Sequence, residues 1–176
     1  MSLNLGTILQ ASAKARPEHP AIRLGDRALD YAELDRAARG VAASLLERGI
    51  APGASVAIMV PNVPEFSIAY FGILYAGCTV VPLNVLLSAP EVTYHLEDSR
   101  AQLLFAHPLF AEPASQGAAA AGVPVVTAGG EGEGTLAAMA AAEPVSGLHA
   151  TSPDDTAVIL YTSGTTGKPK GAELSH

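Results

Sequence analysis

A chain of 176 residues that is 49% hydrophobic and 15% charged, against a norm of about 25% charged, can bury a sizeable core in one ordinary domain. Its net charge of −7 argues against nucleic acid or an anionic membrane as the main partner, since both attract basic surface. The single cysteine, Cys78, rules out an internal disulfide and fits a reducing, cytoplasmic setting.

The opening MSLNLGTILQASAKARPEHP has neither a basic start nor a long apolar segment, so it does not read as a signal peptide. Leu5, Ile8, Leu9 and Ser12 mark one face of a short first helix, with Asn4 as its expected cap. AIRLGDRAL reads as a hairpin turning at Gly25-Asp26. A long helix is predicted from Tyr31 to Arg48. Leu34, Ala38, Val41 and Leu45 recur at helical spacing, and Gly49 stops it.

ASVAIMV is a short apolar strand, and Pro64 opens the next helix. No charge occurs between Glu65 and Glu91, a stretch long enough to span a bilayer. Gly77, the β-branched TVV, Pro82 and Asn84 interrupt it, however. A buried helix followed by a buried parallel strand is the expected reading. Cys78, in YAGCTVVP, then reads as a small buried side chain and not a nucleophile.

Ser88-Ala-Pro-Glu91 has the form of a capping box for a helix running to about Asp98, and AQLLFA follows as a strand. Residues 107–150, rich in Ala, Gly and Pro, read as a connection or variable edge. A helix near 109–121, a short strand VPVV and a helix near 135–142 are expected there. Asp154-Asp155 read as a polar lead into the strand TAVILY in preference to a functional acid pair. The alternation predicts an α/β fold with a mostly parallel sheet and flanking helices, whose ligand site lies beyond the carboxyl ends of the strands.

The last strand runs into YTSGTTGKPKGAELSH, residues 161–176. Two of the chain's three lysines, Lys168 and Lys170, lie here, so an acidic chain ends on a small basic spot. Thr162, Ser163, Thr165 and Thr166 supply hydroxyls. Gly164 and Gly167 permit close backbone approach, and successive amides in such a turn can form an anion-binding nest. These groups suit polyphosphate. The segment is not a Walker P-loop: Thr162 stands where the first glycine belongs, and Pro169 blocks an immediate helix. A hairpin loop returning along GAELSH is the expected form.

YTSGTTGKPKG strongly resembles the phosphate-binding signature of the AMP-forming adenylating enzymes, which include acyl-CoA synthetases and nonribosomal adenylation domains. The resemblance extends back through LDYAELDRAARGVAASLLERGIAPGASVAIMVPNVPEFSIAYFGILYAGCTVVPLN and SAPEVTYHLEDSRAQLLF, and is weakest at 107–150. It implies that the carboxylate of an acid, a fatty acid in the first instance, attacks ATP to give an acyl-adenylate, from which coenzyme A takes the acyl group. It further implies that Thr162, Ser163, Gly164, Thr165, Thr166 and Gly167 cradle the β- and γ-phosphates. Lys170 would pair with phosphate charge, and Mg²⁺ would arrive with the nucleotide. Lys168 stands at a variable position of the signature.

Members of that family are several times longer. The resemblance therefore implies that residues 1–176 are the N-terminal portion of the adenylate-forming domain, part of its large N-terminal domain and ending just after the loop. The catalytic lysine and acyl pocket would lie outside it. Such a piece is expected to lack turnover and to self-associate through uncovered apolar surface. Two alternatives stand beside the CoA ligase: an adenylation domain loading a carrier protein, and a non-catalytic module binding nucleotide or a partner. The five histidines, at 19, 95, 107, 149 and 176, show no metal-ligand spacing. Ser175-His176 adjacency is no evidence of a nucleophile and its base.

Overall fold

A computed structural model describes residues 4–162 and 168–176. Helix α1 (Thr7–Ala15) buries Leu9, whereas Ile8 is 61% exposed and does not share the packed face expected for it. Asn4 is not the cap residue; Gly6 occupies that position. Asn4 is instead buried, its Nδ2 donating to the carbonyls of Leu74 (2.7 Å) and His149 (3.1 Å), while its Oδ1 accepts from the Gly6 amide. A residue that looked local therefore joins three distant segments.

Strands β1 (Pro20–Leu24) and β2 (Arg27–Asp30) form the antiparallel hairpin, turning at Gly25 with φ +58°. Helix α2 (Tyr31–Glu47) starts at a reciprocal cap. The Glu33 amide donates to Asp30 Oδ1 (2.8 Å) and the Asp30 amide donates to Glu33 Oε2 (2.9 Å). Leu34, Ala38, Val41 and Leu45 are all buried along it.

Then come β3 (Ser55–Met59), α3 (Pro64–Tyr75), β4 (Thr79–Pro82), α4 (Ala89–Asp98) and β5 (Ala101–Ala106). The remainder is α5 (Ala111–Ala121), β6 (Val125–Thr127), α6 (Leu136–Ala140), β7 (Thr156–Thr162) and β8 (Lys170–Ser175). The uncharged stretch is thus a 12-residue helix and a buried strand. No helix among the described residues is long and apolar enough to cross a membrane.

The larger sheet has the order β6-β5-β3-β4-β7-β8, parallel throughout except for β8, which returns antiparallel to β7. Strand β3 is central, and its continuous apolar run follows from burial on both faces. Val56 and Ile58 pack with α2, α3, Phe105 and Leu136, whereas Ala57 and Met59 pack with Val92 and Leu96 of α4 and Ala114 and Ala118 of α5. The period of two along a strand sends alternate residues to two separate cores, giving three layers. The 107–150 segment is more than a connection: β6 forms one edge of the sheet, and α6 packs on α2 so closely that only Gly40 fits beneath the Ala140 carbonyl.

His176 secures the β8 end of the fold. Its Nδ1 accepts from the Leu5 amide at 2.9 Å, and its own amide donates to the Asp155 carbonyl. Acceptance at Nδ1 requires a neutral ring, and burial pulls the imidazole below its usual pKa, against a smaller opposing pull from Asp155. The unfolded chain therefore takes up this proton more readily than the folded one. The stability is present above the unfolded pKa, about 6.5, and is lost as pH falls through the folded value. The urea midpoint is expected to drop between pH 7 and pH 5. A His176→Gln chain should show a shallower drop, and an equally steep one would refute the assignment.

Candidate functional site

The hairpin of β7 and β8 reaches past the parallel strands it joins. Val158 of β7 is level with Val80 of β4, so Thr162 lies two residues beyond Pro82, where β4 ends. At about 3.3 Å per residue this carries the hairpin neck roughly 7 Å beyond the carboxyl edge of its neighbour. Sequence reasoning expected a ligand loop on that side of an α/β sheet.

Thr162 and Lys170 are paired across the neck, both exposed. Residues directly opposite on antiparallel strands point to the same face, so the hydroxyl-bearing and ammonium-bearing side chains leave the neck on one side. Among the described residues Lys170 forms no ion pair. The neck thus offers a donor pair suited to phosphate oxygens. Ser163, Gly164, Thr165, Thr166 and Gly167, the other expected phosphate contacts, lie outside the described residues.

The alternate residues, Tyr161 and Gly171, point the other way, toward α4. The Tyr161 hydroxyl donates to Asp98 Oδ2 at 2.7 Å, and its ring meets that of His95 edge-on at 4.3 Å. Burial first, and the Asp98 bond second, raise the Tyr161 phenol above its usual pKa, so it remains a donor. His95 is buried, with Nδ1 2.6 Å from the Glu91 carbonyl; a carbonyl only accepts, so Nδ1 carries the proton. Gly171 is small for a packing reason: a Cβ there would come within 2.8 Å of Ile159 Cγ2 and 3.4 Å of Tyr161 Cζ.

On the returning side the Tyr94 hydroxyl donates to the Pro169 carbonyl at 2.8 Å. The Lys168 ammonium lies 5.5 Å from the centroid of the Tyr94 ring. The two lysines of the motif therefore differ: Lys168 is directed onto α4, and Lys170 is on the opposite face of the hairpin. Sequence reasoning credited both with positive charge for phosphate and missed Tyr94, His95 and Asp98. The one available signal was that Tyr94 and Asp98, four apart, share a face of a predicted helix.

No group of three or more His, Cys, Asp or Glu among the described residues can hold a metal ion. Cys78 is 1% exposed, and burial pushes its thiol up to about 11, so it is not an activated nucleophile. Asp155 Oδ2 accepts from the Ser152 amide, as a polar lead into β7.

A family model described as AMP-binding enzyme matches residues 9–176. The chain belongs to the AMP-binding enzyme family. A feruloyl-CoA synthase of an Amycolatopsis species is 37% identical over 172 residues, covering 98% of this chain and 33% of that protein. The fatty acid–[acyl-carrier-protein] ligase ScoC of Streptomyces coeruleorubidus is 34% identical over 175 residues, with 98% and 33% coverage. The crystal structure of ATP-bound MatB from Rhodopseudomonas palustris matches with a TM-score of 0.79 at 32% identity, over 99% of this chain and 35% of that one. The AMP-binding match bears out the resemblance carried by YTSGTTGKPKG and its flanks, and the structural match bears out the α/β fold. The chain spans about a third of the length of these two relatives.

Proposed function

We propose that this chain is the amino-terminal, phosphate-binding portion of an AMP-forming ligase that activates a carboxylic acid as its acyl-adenylate and passes the acyl group to a thiol. The observation that carries the reading is the paired Thr162 and Lys170 at a hairpin neck beyond the carboxyl edge of a parallel sheet, within an AMP-binding signature. Adenylation needs little covalent help from the protein, but much positioning and charge stabilisation. Lys170 would draw polyphosphate charge and Thr162 would donate to a phosphate oxygen. Residues 163–167 would supply the remaining contacts. Mg²⁺ would come with the nucleotide, bound through its phosphates.

For the acid we propose a hydrophobic one, a fatty acid in the first instance. Coenzyme A is the proposed acceptor. A carrier-protein thiol is the second reading, favoured by the similarity to a relative named as a fatty acid–[acyl-carrier-protein] ligase.

The test is ATP–pyrophosphate exchange with a panel of carboxylic acids, comparing this chain with a full-length ligase that contains it. Exchange is expected from the long form alone and only with Mg²⁺ present, and the responding acid names the substrate. Lys170→Ala in the long form is expected to lower exchange about 100-fold, the scale of one lost charge-stabilising donor. Undiminished exchange would remove Lys170 from the reading. Absence of exchange from a folded long form would overturn the ligase assignment.

A further inference from the structure

Helix α4 presents two side chains, one turn apart, to the two stems of the hairpin. Asp98 accepts from the Tyr161 hydroxyl on the outgoing stem, and Tyr94 donates to the Pro169 carbonyl on the returning stem. The bonds are 2.7 and 2.8 Å long, and each bridges more than 60 residues of sequence. Tyr94 and Tyr161 also meet edge-on, with ring centroids 6.4 Å apart. The returning stem has a particular need of such a tie: Pro169 has no amide hydrogen to give a strand ladder, and it directly precedes Lys170. Lys168, on the other side of Pro169, is within cation–π range of the same ring, about 6 Å.

We propose that Tyr94 is a positioning residue for polyphosphate binding and that Lys168 is its latch, not a phosphate ligand. The hydroxyl of Tyr94 sets the height of the returning stem, and its ring face takes the Lys168 ammonium. Lys170 is thereby left on the opposite face, opposite Thr162. Asp98 fixes the outgoing stem in the same way through Tyr161. This inference rests on the phosphate-binding reading above and assigns the two lysines different duties within it.

The experiment is a titration of the ¹⁵N-labelled 176-residue chain with Mg²⁺–tripolyphosphate, read by amide chemical shifts, with hydrogen exchange at the Lys170 and Gly171 amides. Tyr94→Phe keeps the ring and removes the hydroxyl. It is expected to weaken tripolyphosphate binding about fivefold, as for one hydrogen bond, and to speed exchange at whichever of the two amides bonds to β7. Its thermal midpoint should stay within about two degrees of the parent. Lys168→Gln is expected to weaken binding about threefold, and Lys168→Arg, which keeps a cation over the ring, should restore it. A phosphate-ligating Lys168 would instead lose binding as severely as Lys170→Ala, and that result would overturn the proposal. So would parental affinity in Tyr94→Phe. Absence of binding by the unaltered chain would overturn the phosphate reading itself, and this inference with it.

Discussion

Gly77→Ala is expected to destabilise the chain by about 3 kcal/mol, from two costs that add at one position. Gly77 ends α3 in the left-handed region, with φ +75°. Its amide donates to the Leu74 carbonyl and the Cys78 amide donates to the Ile73 carbonyl, the paired bonds that close a helix onto a left-handed residue. An L side chain there costs about 1–2 kcal/mol. The second cost is steric. A Cβ would come within 2.4 Å of His149 Cδ2 and 2.9 Å of its Cβ, so the whole side chain would have to move. His149 is held in place, its amide donating to the Tyr75 carbonyl and its carbonyl accepting from Asn4. Displacement of this kind costs about 1–3 kcal/mol.

Gly25→Ala separates the two costs. Gly25 also has positive φ, but nothing stands within 4 Å of its missing Cβ, so only the backbone cost of about 1 kcal/mol applies. For Gly77→Ala the thermal midpoint should fall by roughly 6–12 °C. In a His149→Ala background, which removes the ring but leaves the Cβ 2.9 Å away, the added cost should shrink yet stay above that of Gly25→Ala. Equal effects at Gly77 and Gly25 in the parent chain would refute the steric half.

Asp35→Ala is expected to cost about 2–3 kcal/mol, because one carboxylate satisfies two partners from different helices. Asp35 Oδ2 accepts from Arg39 Nε at 2.7 Å, and Oδ1 accepts from the Tyr75 hydroxyl at 2.6 Å. The Asp35 and Arg39 side chains are only 17% and 15% exposed, so water replaces the lost partner poorly. Tyr75 is 1% exposed, and burial, reinforced by Asp35, drives its phenol above the usual range. The guanidinium of Arg39 also lies over the Tyr75 ring at 5.4 Å and donates to the Val145 carbonyl. Removing the carboxylate would strand a cation and a buried hydroxyl together. Asp35→Asn keeps an acceptor for the hydroxyl and should cost about half as much. A urea-denaturation cycle of Asp35→Ala with Tyr75→Phe should show coupling of about 1 kcal/mol. Additive effects would mean that the bond contributes nothing.

The local parts of this molecule were legible. The α2 core face, the Gly25-Asp26 turn, the Pro64 helix start and the β7–β8 hairpin all follow from signals that act within four residues of one another. The Asp30–Glu33 cap was just as local and was readable on the same rule. Asn4 and Ile8 show where that kind of reading fails. Asn4 has the chemistry of a cap, but its partners, Leu74 and His149, come from segments the chain delivers much later. Ile8 fits a helical stripe, yet α1 lies at the periphery and has too little core to cover both Ile8 and Leu9.

Of the candidate site, the sequence alone determined the composition of the loop, its place at the end of a strand and its likeness to a phosphate-binding signature. Order along the chain suffices for those, because hydroxyls, glycines and lysines act through spacing and local backbone freedom. Tertiary structure decided what the neighbouring groups do. Strand order brings β7 and β8 to the sheet edge beside β4, and the following helix, α4, then supplies Tyr94, His95 and Asp98 to the hairpin stems. The antiparallel pairing divides alternate residues between two faces, sending Tyr161 and Gly171 toward α4 and Thr162 and Lys170 away from it. Lys168 precedes β8 and so escapes that alternation, and it meets the Tyr94 ring of α4; two lysines separated only by Pro169 acquire different surroundings, a consequence of topology that no local period or motif specifies.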